Sequence, residues 1–248
     1  MRSSWLRPWM AAFLLLAALG DAGAAEEPLT PEQKQAVEQT VRDYLLANPE
    51  VIRDALVELQ RRQQIAEQTA RQGAIAELHD YVATLPSDYV KGDPAAETAV
   101  VEFFDYRCPY CKTVAPRVDE VVAQDGAVRV VLIEFPILGE ESVFASRAAI
   151  AARAQGKYIA FHDAMMSHKG KLDQATVLEI AEDVQIDVEK LKADMNAPEV
   201  DALIRRHHEL ADKLGVTGTP AFVIGEELVP GAIDAETMKA KIKQARQS

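Results

Sequence analysis

The sequence predicts an α/β domain with a helical block set into its sheet, preceded by an extended α-helical arm. Three observations carry this. Two apolar runs of strand length, 99–104 and 128–135, flank a stretch of helical periodicity. A second pair of short apolar runs, 220–225 and 227–230, reads as a hairpin near the C-terminus. Between 49 and 85 the apolar residues recur in alternating steps of four and three, the spacing of a helix that packs along a seam.

The chain has 248 residues, of which 48% are apolar, enough for a substantial core. Its 27 Lys and Arg against 39 Asp and Glu give a net charge of −12. Such a surface repels phosphate, so nucleic acid is excluded as an expected partner. Arg2 and Arg7 precede the apolar run 10–19, and Ala22-Gly23-Ala24 follows it. This is the pattern of a cleavable export signal over 1–24, with a retained anchor as the alternative. An exported chain meets an oxidising compartment.

Thr30-Pro31-Glu32-Gln33 then starts a helix: Thr30 caps, Pro31 takes the first position and Gln33 completes a capping box. That helix ends near Ala47, and Asn48-Pro49-Glu50 starts a second one that runs to about Leu85. Ile52, Leu56, Leu59, Gln63, Ala66 and Ala70 line its seam, continued by Ile75, Leu78, Val82 and Leu85. The stretch 58–72 is too polar to bury much against a globular core. The arm, 25–89, is therefore expected to pair with copies of itself, the alternative being a helix that folds back on its own domain. Residues 86–97, with Gly92, Asp93 and Pro94, read as a linker into a second unit over 90–248.

In that unit the strand 99–104 leads to Cys108-Pro109-Tyr110-Cys111, which holds both cysteines of the chain, and then to a helix ending at Asp125-Gly126. A helix start offers unpaired N–H groups and partial positive charge, which stabilise a thiolate. Pro109 suits the first turn, where its missing N–H has no partner. Cys108 is the expected nucleophile and Cys111, one turn on, the expected resolving thiol; their spacing lets the sulfurs close a disulfide. A loop this short is a poor staple. Zinc takes four ligands as a rule, and no second cysteine pair exists, so a two-thiolate copper or zinc site is the weaker reading. After the strand 128–135, residues 139–214 show helices only, at 142–155, 157–168, 174–184, 187–195 and 198–214. The hairpin follows, and Asp234 caps a last helix. The five histidines lack helical ligand spacing and are read as solvated or partly buried.

This order of elements, with Phe103-Phe104-Asp105-Tyr106-Arg107-Cys108-Pro109-Tyr110-Cys111 paired with Gly215-Val216-Thr217-Gly218-Thr219-Pro220-Ala221-Phe222, resembles the thioredoxin fold and within it the DsbA-like disulfide oxidoreductases of the bacterial periplasm. The arm, above all Asn48-Pro49-Glu50-Val51-Ile52, resembles the suppressor-of-copper-sensitivity protein C subgroup, some of whose members are trimeric isomerases. The resemblance implies that Pro220 is the cis-proline facing the sulfurs, leaving the backbone before it to pair with a substrate strand. It implies that Thr219 tunes redox behaviour, closer to the isomerases than to the strong oxidants. It also implies that Glu102, six residues before Cys108, is a buried acid that moves protons to and from Cys111, with a lysine ion pair as its alternative role.

The expected activity is periplasmic thiol–disulfide exchange, isomerase or reductase in direction. The catalytic residues are Cys108, Cys111 and Glu102, and the substrate is met by Pro109, Tyr110, Thr219 and Pro220. No metal and no cofactor beyond the Cys108–Cys111 disulfide are expected. The expected partners are misoxidised or unfolded exported proteins, a membrane redox partner, and further copies of the chain in a homo-oligomer, a trimer before a dimer. The alternatives are a dithiol oxidase and a non-catalytic copper-binding or envelope interaction protein using the same cysteines.

Overall fold

A computed structural model describes residues 29–247; the expected export signal lies outside the described residues. The chain divides into two compact units, one through Gln60 and one from Arg61 onward. No helix among the described residues is long and apolar enough to cross a membrane.

Helix α1 spans Pro31–Ala47 and begins as its sequence dictates. Thr30 Oγ1 accepts the Gln33 N–H at 3.3 Å, and Gln33 Oε1 accepts the Thr30 N–H at 2.9 Å. It buries no residue. Val37, Val41, Tyr44 and Leu46 are exposed. Helix α2, Glu50–Thr84, runs unbroken through Gly73. Ile52, Leu56 and Leu59 lie on its surface, exposed by 49%, 54% and 51%. Its last third behaves differently. Ala74, Ile75, Leu78 and Val82 are buried against Val101, Phe103, Val131 and Ile133. The seam read from the spacing therefore ends before Ala74; beyond it the same spacing serves the core of the second unit.

The expected linker 86–97 holds structure. A 3₁₀ turn at Ser87–Tyr89 leads into strand β1, Val90–Gly92, and Tyr89 is buried with its ring 4.7 Å from that of Tyr158. The turn residues that follow are real but come later. Gly92 has φ +89°, and a Cβ there would lie 2.5 Å from Val128 O, so only glycine closes this strand.

Strand β2, Thr98–Phe104, helix α3, Pro109–Gln124, and strand β3, Val128–Glu134, form a parallel crossover. Strands β4, Ala221–Ile224, and β5, Glu227–Pro230, make the hairpin. The sheet order is β1-β3-β2-β4-β5, with β1 antiparallel to β3 and β4 antiparallel to β2. Even-numbered residues of β2 and β3 face one layer with α3, and odd-numbered ones face the end of α2 and Leu210, Ala211 and Leu214. Between β3 and β4 lie α4 (Glu140–Ala152), α5 (Tyr158–Ser167), α6 (Gln174–Asp183), α7 (Val188–Asp194) and α8 (Pro198–Leu214). In α4, Ala145, Ala148, Ala149, Ala151 and Ala152 are all buried, so small side chains let neighbouring helices close around it. Helix α9, Ala235–Ala245, is capped by Asp234, whose side chain accepts the Thr237 N–H at 2.7 Å.

Candidate functional site

Strand β4 begins where β2 ends, with Phe103 opposite Ala221 and Glu102 opposite Phe222. That register carries Thr219 and Pro220 to the start of α3. The Thr219–Pro220 bond is cis. Cys108 is the N-cap of α3 and Pro109 its first residue. Both cysteines are free thiols; Cys108 is 4% exposed and Cys111 fully buried. The Cys108 thiol donates to the Thr219 carbonyl at 3.2 Å. Pro109 and Tyr110 are at the surface, Tyr110 with 68% of its area in solvent. The structure thus brings Cys108, Thr219 and Pro220 together, with Tyr110 presented beside them.

Glu102 is buried on the α3 face of β2 and accepts no side-chain hydrogen bond among the described residues. Burial pushes its pKa up to about 8, against the pull of the Lys91 ammonium, with Asp119 adding to the rise. Burial likewise pushes the Cys111 thiol far above the ordinary thiol range, opposed by a hydrogen bond from the Asp105 backbone and reinforced by the charges of Cys108 and Glu102. Glu102 and Cys111 are therefore within each other's field. With its pKa raised to about 8, Glu102 takes up the buried thiol's proton when ionised and hands one back when protonated.

Lys91 was not anticipated. It sits on β1 opposite Val130, is 8% exposed, and its ammonium pairs with Asp119 of α3 at 2.6 Å and with Asp163 of α5. The lysine considered as a partner of Glu102 thus exists, but its ion pairs go to aspartates. Lys112 is also sequestered: its ammonium donates to the Met165 and His168 carbonyls at the end of α5, and burial lowers its pKa.

A second buried acid, Glu134, ends β3. Its carboxylate accepts the hydroxyls of Tyr106 at 2.9 Å, Tyr158 at 2.8 Å and Ser146 at 2.7 Å. Tyr106 also meets His162 Nδ1 at 3.2 Å. The signal that singled out Glu102, an acid inside an apolar strand, applies equally to Glu134 in the run 128–135. Two of the five histidines are fully enclosed, not solvated or partly buried: His162 and His207 are 2% and 0% exposed. His207 bridges Tyr81 Oη at 2.9 Å and the Glu134 carbonyl at 3.0 Å, and burial holds its pKa down at about 4. Among the described residues, no three or more His, Cys, Asp or Glu side chains group as a metal site.

Residues 99–243 match the DSBA-like thioredoxin domain family, and residues 33–66 match the copper resistance protein ScsC N-terminal domain family. A thioredoxin-like oxidoreductase from Silicibacter pomeroyi is similar at 45% identity and TM-score 0.63, over 66% of this chain and 99% of that one. Proteus mirabilis ScsC, in a transitional conformation, is similar at 31% identity and TM-score 0.63, over 88% and 98%. The probable disulfide bond formation protein D of Bacillus anthracis is 30% identical over 157 residues, 58% of this chain and 72% of its own. A Na⁺/H⁺ antiporter NhaA of Salinispora tropica is 29% identical over 160 residues, 64% of this chain, but the match spans only 24% of that protein. The fold, the placement of the Cys pair against a cis-proline, and these matches together place the chain in the DsbA-like thioredoxin-domain family of thiol–disulfide oxidoreductases, with a ScsC-type N-terminal region ahead of the thioredoxin domain.

Proposed function

We propose that this protein is a disulfide isomerase and reductase for exported proteins, working in the periplasm as a homo-oligomer, a trimer in preference to a dimer. Cys108 attacks a wrong substrate disulfide and Cys111 resolves the mixed disulfide. Glu102 moves the Cys111 proton, and Pro109, Tyr110, Thr219 and Pro220 hold the substrate strand. A membrane redox partner keeps the dithiol reduced, and no cofactor beyond the Cys108–Cys111 disulfide takes part.

One observation carries the isomerase reading: the helical N-terminal region leaves Val37, Val41, Tyr44, Ile52, Leu56 and Leu59 in solvent, while β2 and β3 bury their apolar side chains. Apolar stripes of this kind favour helix pairing with further copies. Isomerisation needs the substrate held while it rearranges. Tethered copies raise the local concentration of docking surface to the order of millimolar.

The test uses the full-length chain. Charging the seam with Ile52→Glu, Leu56→Glu and Leu59→Glu is expected to give a monomer by light scattering. That monomer keeps dithiol reductase activity and loses the unscrambling of a misoxidised substrate. A monomeric wild-type chain would end the oligomer claim, and a monomeric variant that unscrambles as well as wild type would end its link to isomerisation. A deletion equivalent must stop at Gln60. Removal through Tyr89 would also strip Ala74, Ile75, Leu78, Val82 and Tyr89 from the core.

A further inference from the structure

We propose that Asp105 is the positioning residue of the Cys pair: its buried carboxylate fixes the peptide at the end of β2 whose carbonyl accepts the Cys108 N–H at the head of α3. The inference rests on the thiol–disulfide reading above.

Asp105 follows directly on β2 and is fully buried. Its Oδ1 accepts the Arg107 N–H at 2.7 Å and the Ser142 hydroxyl at 2.9 Å. Its Oδ2 accepts the N–H groups of Ile137 at 2.8 Å and Leu138 at 3.1 Å. Four donors converge on one side chain and no cation is among them. A carboxylate, with acceptors only, satisfies all four; an amide cannot. The clamp ties the β2–α3 loop to the segment between β3 and α4. Arg107 repeats the tie from its own side, with Nη1 donating to the Leu138 carbonyl at 3.0 Å and pairing with Glu141 at 2.7 Å.

The main chain of Asp105 is what this clamp aims. Its carbonyl accepts the Cys108 N–H at 3.1 Å. Its backbone also pulls the Cys111 pKa down, against the rise that burial imposes. That influence matters in one step. In resolution, the Cys111 thiolate attacks the Cys108 sulfur of the mixed disulfide. The Cys108–Cys111 bond forms, the bond from Cys108 to the substrate sulfur breaks, and the substrate leaves as a thiolate that takes a proton from water. The proton of Cys111 passes to Glu102. Two electrons move from the Cys pair to the substrate disulfide. A merely structural clamp would affect both steps of exchange alike; an aimed peptide acts on the step in which Cys111 is charged.

The experiment compares full-length wild type, Asp105→Asn and the milder Ser142→Ala. First attack is followed as the reaction of Cys108 with a small disulfide, and resolution as release of glutathione from a preformed Cys108–glutathione disulfide. The pH profile of Cys111 alkylation is read in a Cys108→Ser background. Asp105→Asn is expected to slow resolution about tenfold, the scale of one misdirected hydrogen bond, and to move Cys111 alkylation to higher pH. First attack should change by less than about twofold, and Ser142→Ala should give about a twofold effect in the same direction. Equal slowing of both steps overturns the inference, as does a folded Asp105→Asn chain with wild-type resolution and an unmoved Cys111 profile. Should Asp105→Asn fail to fold, an unmoved profile in Ser142→Ala overturns it. A wild-type chain without dithiol exchange would overturn the reading beneath, and this inference with it.

Discussion

Glu102 and Glu134 stand on neighbouring parallel strands, face the same layer and are almost wholly buried, at 3% and 0% exposure. Burial pushes both up to about 8. They differ in what surrounds the carboxylate. Glu134 receives three hydroxyls, from Tyr106, Ser146 and Tyr158. Glu102 receives none among the described residues and senses charge at a distance, from Lys91 and Asp119. A carboxyl held by fixed donors is a node of the structure. One without them has a proton that is free to move, and it lies in the field of the Cys111 sulfur.

The largest expected effect separates the two by stability. Glu134→Leu leaves three buried hydroxyls without their acceptor and should cost about 3–5 kcal/mol in urea unfolding. Glu102→Leu strands no donor and should be neutral, or stabilising by about 1–3 kcal/mol at alkaline pH. Equal losses in both variants would erase the distinction. Next comes chemistry. Glu102→Gln should slow resolution about a hundredfold while leaving first attack nearly intact, and it should remove a rise in resolution rate near pH 8. Kinetics that keep this inflection would assign the proton to another group.

The third test follows pH. The folded-state pKa of each acid, about 8, lies above the ordinary carboxyl value of 4.5. The stability that each protonated group adds is thus fully present below about pH 4.5 and is lost as pH rises through about 8, with a slope of up to about 1.4 kcal/mol per pH unit for each. Urea midpoints should fall between pH 5.5 and 8.5, less so in Glu102→Gln; a wild-type curve that is flat in this window contradicts both shifts. The smallest effect belongs to Lys91→Met. Loss of the cation should move the resolution inflection to higher pH with little change in its plateau, and an unmoved inflection would show that Lys91 serves only Asp119 and Asp163.

Local signals carried far in this chain. The box of Thr30 and Gln33, the proline at the head of α3, the ends of α8 at Pro198 and Leu214, and the hairpin were all legible, because each depends on residues a few positions apart. So was the meeting of Cys108 with Thr219 and Pro220, through the resemblance that their flanking motifs carry. Strand β1 was not legible: three residues hold too little pattern, and Gly92-Asp93-Pro94 masks them as a turn. Lys91 was lost with it. Asp105 showed nothing special because three of its four donors come from 32 to 37 positions away, and Glu134, though it carries the same local signal as Glu102, has its three donors 12 to 28 positions away. The end of α2 was misread for a different reason: Ile75, Leu78 and Val82 have one spacing that suits a seam and a core equally.

Helix α2 has a consequence for amide exchange. Its amides from Ala74 to Thr84 close over buried side chains and should exchange only with global unfolding of the second unit. Those near Ile52 and Leu56 have no such cover within one chain and should exchange by fraying, orders of magnitude faster. The rate profile along this one helix thus doubles as an assembly gauge. Slow exchange in the first half, falling away on dilution, reports the presence of neighbouring copies residue by residue.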